Sequence, residues 1–93
     1  MLKISVTTQS DDATQLHLEG KLVGPWVEEL RRLSNEALSR QETVTLDMAR
    51  VWFVDPQGVA LLRDLTERSV AQLNCSPFIS QQLKEMAYDD RDR

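Results

Sequence analysis

The chain has 93 residues, which provide one hydrophobic core and therefore one domain. Its net charge is −4 and its basic residues are interspersed with acidic ones, which argues against nucleic acid as a partner. No apolar run approaches the ~20 residues of a membrane-spanning helix, so we expect a cytoplasmic protein with no direct membrane insertion.

The first two predicted elements are β-strands. Apolar and polar side chains alternate over residues 2–7 and again over residues 15–19, which is the period of a strand with one face in water. A polar turn at residues 10–12 joins the two strands into an antiparallel hairpin. His17, the only histidine, lies on the polar side of the second strand, where we expect it to be solvated.

Prolines mark the starts of three predicted helices. Proline suits the first helical position, because its missing N–H would have no partner there. Each proline follows a residue type that occurs as a helix N-cap, in the pairs Gly24–Pro25, Asp55–Pro56 and Ser76–Pro77. The apolar spacing predicts that the first helix ends near Ser39 or Arg40 and the second near Arg68. In the third helix we expect an apolar stripe made by Phe78, Ile79, Leu83 and Met86.

Two further strands are predicted at residues 43–48 and 70–74. The element order is then β-β-α-β-α-β-α, which indicates an α/β fold with a mixed sheet of four to five strands, mostly parallel, and an antiparallel N-terminal edge strand. Residues 1–88 form the single predicted domain, and we expect the charged residues 89–93 to be a frayed C-terminal tail.

Three stretches of the sequence resemble the STAS domain family. Residues 44–62 resemble its signature, in which a strand ends in Leu-Asp and a later Asp is followed by Gly three positions on. Residues 16–22 look like the family's second strand, and residues 73–79 look like its last strand and the start of its last helix. The resemblance implies a STAS-like fold, and it is closest in kind to the anti-sigma factor antagonists of bacteria.

That resemblance implies a non-catalytic regulatory module that binds a protein partner. Family members of this kind bind a serine kinase that also acts as an anti-sigma factor, and phosphorylation of a Ser or Thr after the Asp breaks the complex. Here Pro56 and Gln57 follow Asp55, and neither has a hydroxyl, so the family's phosphorylation site is lost. The alternative is an accessory STAS subunit that binds the ATPase of an ABC lipid transporter, because this role needs no phosphorylation switch.

The predicted partner surface combines an apolar run, the loop after it and the second helix. Residues 51–54 are all apolar and cannot all point inward, so an exposed aromatic side chain there would be an interface anchor. The candidate residues are Trp52, Phe53, Asp55, Pro56, Gln57, Gly58, Arg63, Asp64 and Glu67. Asp55 could equally be an N-cap, and Trp52 could cover the sheet edge or a helix. A homodimer through the apolar residues near Trp52 is a further alternative.

Catalysis and metal binding find little support in the residue inventory. Cys75 is the only cysteine, so an internal disulfide and a thiolate metal cage are both excluded, and one histidine leaves no metal constellation. Nothing in the sequence brings Cys75 and His17 together as nucleophile and base. Ser76 reads as the N-cap of the third helix rather than as a phosphorylation site. We therefore expect neither an enzyme nor a cofactor.

Overall fold

The seven predicted elements all occur, in the predicted order. The structure, a computed structural model, describes residues 2–91, and the side chains of all of these except residues 9 and 85–91. The elements are β1 (Leu2–Ser10), β2 (Ala13–Leu22), α1 (Pro25–Ser39), β3 (Thr43–Val54), α2 (Pro56–Glu67), β4 (Ala71–Leu73) and α3 (Pro77–Arg91). The predicted frayed tail overlaps the last turn of α3 at residues 89–91 and two residues that lie outside the described part, so fraying stays a prediction.

The strands form one four-stranded mixed sheet in the order β1-β2-β3-β4. β1 lies antiparallel to β2 at one edge, with Ser5 opposite His17, while β2, β3 and β4 are parallel neighbours. The prediction of a mostly parallel sheet with an antiparallel N-terminal edge strand is confirmed. Each parallel step is made through a helix, as chain connectivity requires.

β3 is longer than predicted, because its side-chain period changes partway. Val44, Leu46 and Met48 are buried at intervals of two, but the next buried residues, Val51 and Val54, follow at intervals of three. The pairing with β2 slips at two places, each with one additional residue on β3. The predicted strand end at residue 48 is therefore wrong.

All three helices pack on one face of the sheet. α1 contacts β2 and β3, α2 contacts β3 and β4, and α3 contacts α2 and β3. Apolar side chains from this face and from the helices make the core, among them Leu16, Leu18, Val27, Leu30, Leu46, Leu62, Leu65 and Ile79. We call the uncovered side the open face. Within residues 2–91, no helix has the length and hydropathy needed to cross a membrane.

Candidate functional site

Asp55 is the one residue between β3 and α2, and its carboxylate joins two helix starts. Oδ1 accepts a hydrogen bond from the Gly58 N–H at 2.7 Å, which makes Asp55 the N-cap of α2 as predicted. Oδ2 accepts from the Gly24 N–H at 2.9 Å, where α1 begins. Its backbone N–H also donates to the Leu22 carbonyl at 3.1 Å, so Asp55 ties the ends of β2 and β3 together.

The two glycines bonded to Asp55 have separate reasons for lacking a side chain. Gly24 has a φ of 54°, a conformation that glycine adopts most readily, and the space beside it is open. Gly58 is buried, and a Cβ there would stand 2.7 Å from Val54 Cγ1 and 3.0 Å from the Leu22 carbonyl oxygen. Gly58 therefore allows α2 to approach the sheet. Its assignment as a partner-contact residue is corrected, because it lies beneath the surface.

Trp52 and Phe53 stand exposed at the end of β3. The second slip in the register leaves Trp52 as the additional residue, so the strand turns both neighbouring aromatic rings outward. Trp52 is 62% exposed and Phe53 is 40% exposed. This exposure does not support the alternative expectation that Trp52 covers a helix. The Lys21 Nζ lies 4.9 Å from the centre of the Trp52 ring, in a cation–π arrangement that orients the indole.

The second part of the candidate surface is the exposed side of α2, the helix that follows Asp55. Pro56 and Gln57 are exposed in its first turn, and Asp64 and Glu67 follow on the exposed face, with Arg63 half-buried beside them. Asp64 lies 3.6 Å from the guanidinium of Arg68, and Arg68 also donates to Asn35 of α1 at 2.7 Å. The candidate surface thus consists of two groups, aromatic on β3 and polar on α2, that meet at Asp55.

The open face carries a hydrogen-bonded cluster that the sequence interpretation missed. Asp47 Oδ2 lies 3.2 Å from His17 Nδ1, and Asp47 Oδ1 accepts from the Asn74 side chain at 3.2 Å and from the Ala49 N–H at 3.0 Å. The backbone bond from Ala49, then the bond from Asn74, hold the pKa of Asp47 below its usual value. His17 was expected only to be solvated. The sequence feature that could have indicated this pair is the alternation of polar and apolar residues in both β2 and β3.

Three other side chains differ from, or add to, what the sequence indicated. Phe78 was expected in the apolar stripe of α3, but it is 61% exposed at the first turn of that helix. One turn on, Gln82 donates to the Val54 carbonyl at 2.8 Å, so this part of α3 is attached to the end of β3. Burial raises the pKa of the Cys75 thiol, which opposes thiolate chemistry there.

Comparison with known proteins agrees with this architecture. Residues 5–89 match the family model described as "Mlab, STAS domain". No curated protein matches the sequence significantly. Among solved structures, the chain is similar to the anti-sigma factor antagonist SpoIIAA in its unphosphorylated form, with 22% identity, a TM-score of 0.68 and 98% of each chain covered.

Two further structures show the same fold. The Bacillus cell fate determinant SpoIIAA in the phosphorylated form has 21% identity and a TM-score of 0.67, with 98% of this chain and 100% of that chain covered. A Shewanella loihica protein described as having a SpoIIAA-like fold has 15% identity and a TM-score of 0.57, with 94% and 77% covered. The family match over residues 5–89 and the matching strand and helix order show that the chain belongs to the STAS domain family.

Proposed function

We propose that the chain is a non-catalytic regulatory module that binds a protein partner in the cytoplasm through the end of β3 and the exposed side of α2. We call this the β3–α2 surface, formed by Trp52, Phe53, Asp55, Pro56, Gln57, Arg63, Asp64 and Glu67. The observation that carries the proposal is the 62% exposure of Trp52, a large apolar ring at the end of β3.

The physical argument concerns what an exposed ring costs in the free chain. Leaving Trp52 in water forgoes the free energy that burying its apolar area would provide, about 25 cal/mol per Å². Removing it from water against a partner recovers that free energy, and aromatic anchors of this kind dominate many interfaces. The bulge and Lys21 position the ring before a partner arrives, which reduces the entropy lost on binding.

The polar side of α2 suits selection of a partner rather than strength of binding. Arg63, Asp64 and Glu67 place both signs of charge along one helix, so a partner must present a matching order of charges. Asp55 contributes less direct contact, because both of its oxygens are already bonded to backbone N–H groups. Its role on this surface is to hold the β3 and α2 groups at a fixed separation.

Two kinds of partner fit this surface. The first is an anti-sigma factor that is also a serine kinase, since SpoIIAA, an anti-sigma factor antagonist, shares this fold. SpoIIAA also exists in a phosphorylated form, whereas Pro56 and Gln57 offer no hydroxyl after Asp55. The second partner, the ATPase of an ABC lipid transporter, is favoured by that loss. Genes beside this one distinguish the two: a sigma factor and a kinase-like ATPase, or a permease and a transporter ATPase.

The binding test uses the full chain as bait for each neighbouring ATPase or kinase, expressed separately. Trp52→Ala should weaken capture by about 30-fold, as expected for loss of an aromatic anchor worth about 2 kcal/mol, with an unchanged circular dichroism spectrum. Glu28→Ala on α1 is the control, since this exposed side chain belongs to neither β3 nor α2 and pairs with Arg31 at 3.3 Å.

Three results would contradict the proposal. The first is equal capture by Trp52→Ala and the parent, and the second is an equal loss of capture with Glu28→Ala. The third is sedimentation of the parent as a homodimer and of the folded Trp52→Ala chain as a monomer, which would make a second copy the occupant of the surface. If Trp52→Ala unfolds, Phe53→Ser and Gln57→Arg test the same surface at exposed positions.

A further inference from the structure

The outer edge of β1 is a second feature that the β3–α2 surface does not explain. β1 is the first strand of the sheet, so among the described residues β2 is its one strand neighbour. Its nine residues form a long free edge, where unpaired N–H and C=O groups can bond to another extended backbone. The opposite edge strand, β4, has only three residues and offers much less. Pairing with a further strand is therefore expected at β1.

β1 lacks most of the devices that keep edge strands from pairing. Charged side chains, proline, short length and bulges usually serve this purpose. The segment from Ile4 to Thr8 contains no charge and no proline, and four of its five residues are β-branched, which favours extended pairing. The one irregularity in its pairing with β2 comes only after Thr8. The middle of β1 is thus regular, uncharged and open on its outer side.

The helix layer leaves the middle of β1 uncovered. Leu2, Ile4 and Val6 point toward the helix side, and their exposure rises from 3% at Leu2 through a half-buried Ile4 to 54% at Val6. Val6 is also the central residue of β1. An antiparallel pairing of two β1 strands about Val6 would use the whole strand and place the two Val6 side chains side by side. Each would then shield apolar area that the helices leave in water.

The charges around β1 match a second copy in the antiparallel direction. Lys3 lies near the start of the strand, and Asp11 and Asp12 form the turn directly after its end. All three are exposed, and within the described residues none of them forms an ion pair, although Glu19 stands across from Lys3 on β2. In a pairing about Val6, Lys3 of each copy lies two residues, or about 7 Å, from Asp11 of the other, within reach of its long side chain. In-register parallel pairing would instead place Lys3 beside Lys3.

We propose that two copies of the chain join through the outer edges of their β1 strands, antiparallel about Val6, to form one continuous sheet with four strands from each copy. This goes beyond the proposed function, since β2 separates this edge from β3 and no residue of the β3–α2 surface belongs to it. The two-fold axis closes the assembly at two copies, because each chain has one β1 edge. The dimer carries two β3–α2 surfaces, so it can bind two partner molecules.

Sedimentation equilibrium of the full chain over about 1–500 µM measures the assembly. The mass should rise with concentration from 10.7 kDa toward twice that value. Val6→Lys and, separately, Val6→Glu place like charges opposite each other at the two-fold axis, and each should weaken the dimer about ten-fold or more. An equimolar mixture of the two variants should recover association, because opposite charges then face each other. Both variants should fold, since Val6 is 54% exposed, and circular dichroism checks this.

Two control variants and one measurement locate the contact. Ala71→Lys adds the same charge as Val6→Lys at an exposed position of the other edge strand, β4, and should sediment as the parent does. Trp52→Ala should also sediment as the parent does, which distinguishes the β1 edge from a dimer through the indole. In the parent, the β1 amides that point away from β2 should exchange with deuterium more slowly at high concentration than at low concentration. This measurement needs no substitution in β1.

Four results would overturn the inference. The first is a parent mass of 10.7 kDa over the whole concentration range. The second is a mixture of the two Val6 variants that associates no better than either variant alone, and the third is an equal weakening with Ala71→Lys. The fourth is growth beyond two copies, which would mean that β1 pairs with β4 in an open chain. Val6→Lys keeps every residue of the β3–α2 surface and should capture the partner as the parent does, so the two proposals fail independently.

Discussion

The carboxylate of Asp55 holds the backbone of Gly24 at the start of a different helix: Oδ2 accepts the Gly24 N–H at 2.9 Å, across 31 positions of sequence. Asp55→Ala removes this bond together with the α2 cap, so the free energy of unfolding should fall by about 2 kcal/mol, more than a cap alone, which is typically worth ~1 kcal/mol. Urea denaturation measures the loss.

Ser76→Ala is the matched comparison, because among the described residues Ser76 Oγ accepts one N–H, that of Ile79 at 3.2 Å. The free energy of unfolding of this variant should fall by about 1 kcal/mol. Equal losses in the two variants would show that the bond to Gly24 contributes no stability.

Gly58 is a packing position, and adding one methyl group there should destabilise the chain. In Gly58→Ala the new Cβ meets Val54 Cγ1 at 2.7 Å and the Leu22 carbonyl at 3.0 Å. Overpacking typically costs ~1–3 kcal/mol and outweighs the ~1 kcal/mol gained in helix propensity. Thermal melting should show a lower Tm, while Gln57→Ala, one residue earlier and exposed, should stay within about 0.5 kcal/mol of the parent. A Gly58→Ala chain with a raised Tm would refute the close approach.

Asp47 makes stability depend on pH in the acid range. Its folded pKa is held below the unfolded value, first by the Ala49 N–H and then by Asn74, so its stabilisation is complete above the unfolded pKa of ~3.9 and is lost as pH falls through the folded pKa. The stability difference between parent and Asp47→Asn should therefore be larger at about pH 7 than at about pH 3. Denaturation at both pH values measures it.

Asn74→Gly is the partial version of that change. Asn74 has a φ of 62°, which glycine adopts without strain, so the variant removes a donor to Asp47 and leaves the backbone relaxed. Its pH-dependent loss should have the same sign as that of Asp47→Asn and a smaller size. A difference that does not change with pH would contradict the assigned role of the carboxylate.

The loop after Asp55 should accept no phosphate unless a hydroxyl is supplied. Incubated with ATP and an anti-sigma-type serine kinase that captures the chain, the parent should remain unmodified at positions 55–58. Pro56→Ser places a hydroxyl at the first turn of α2, where the helix dipole favours a phosphate. Peptide mass spectrometry should then find phosphate at position 56 only in the variant. Phosphate on the parent loop, or a Pro56→Ser chain that stays unmodified, would contradict this prediction, and phosphate on Ser76 would mean that a switch exists elsewhere.

Local signals made much of the fold predictable. The Asp55–Pro56 pair encodes a cap and a helix start within two residues, and the structure shows both. Alternation over residues 2–7 and 15–19 similarly identified β1 and β2. These features depend on neighbours in sequence, so one sequence is enough to find them.

The missed features depend on pairing between distant segments. A bulge is set by the partner strand, so the change of period after Met48 left no two-residue alternation to recognise. The bond from Gly24 to Asp55 and the pair of His17 with Asp47 likewise join residues 30 or more positions apart. The sequence contained the residues but not the register that brings them together.

The two bulges of β3 give this strand 12 residues where its neighbour β2 has 10. Val51 and Val54 alone anchor its second half to the helices, so Ala49, Arg50, Trp52 and Phe53 can diverge together without altering the core. Core side chains and outward side chains are thereby separated within one strand. If the β3–α2 surface binds the partner as proposed, exchanging Trp52 and Phe53 between homologues should transfer binding preference while the melting behaviour stays that of the recipient.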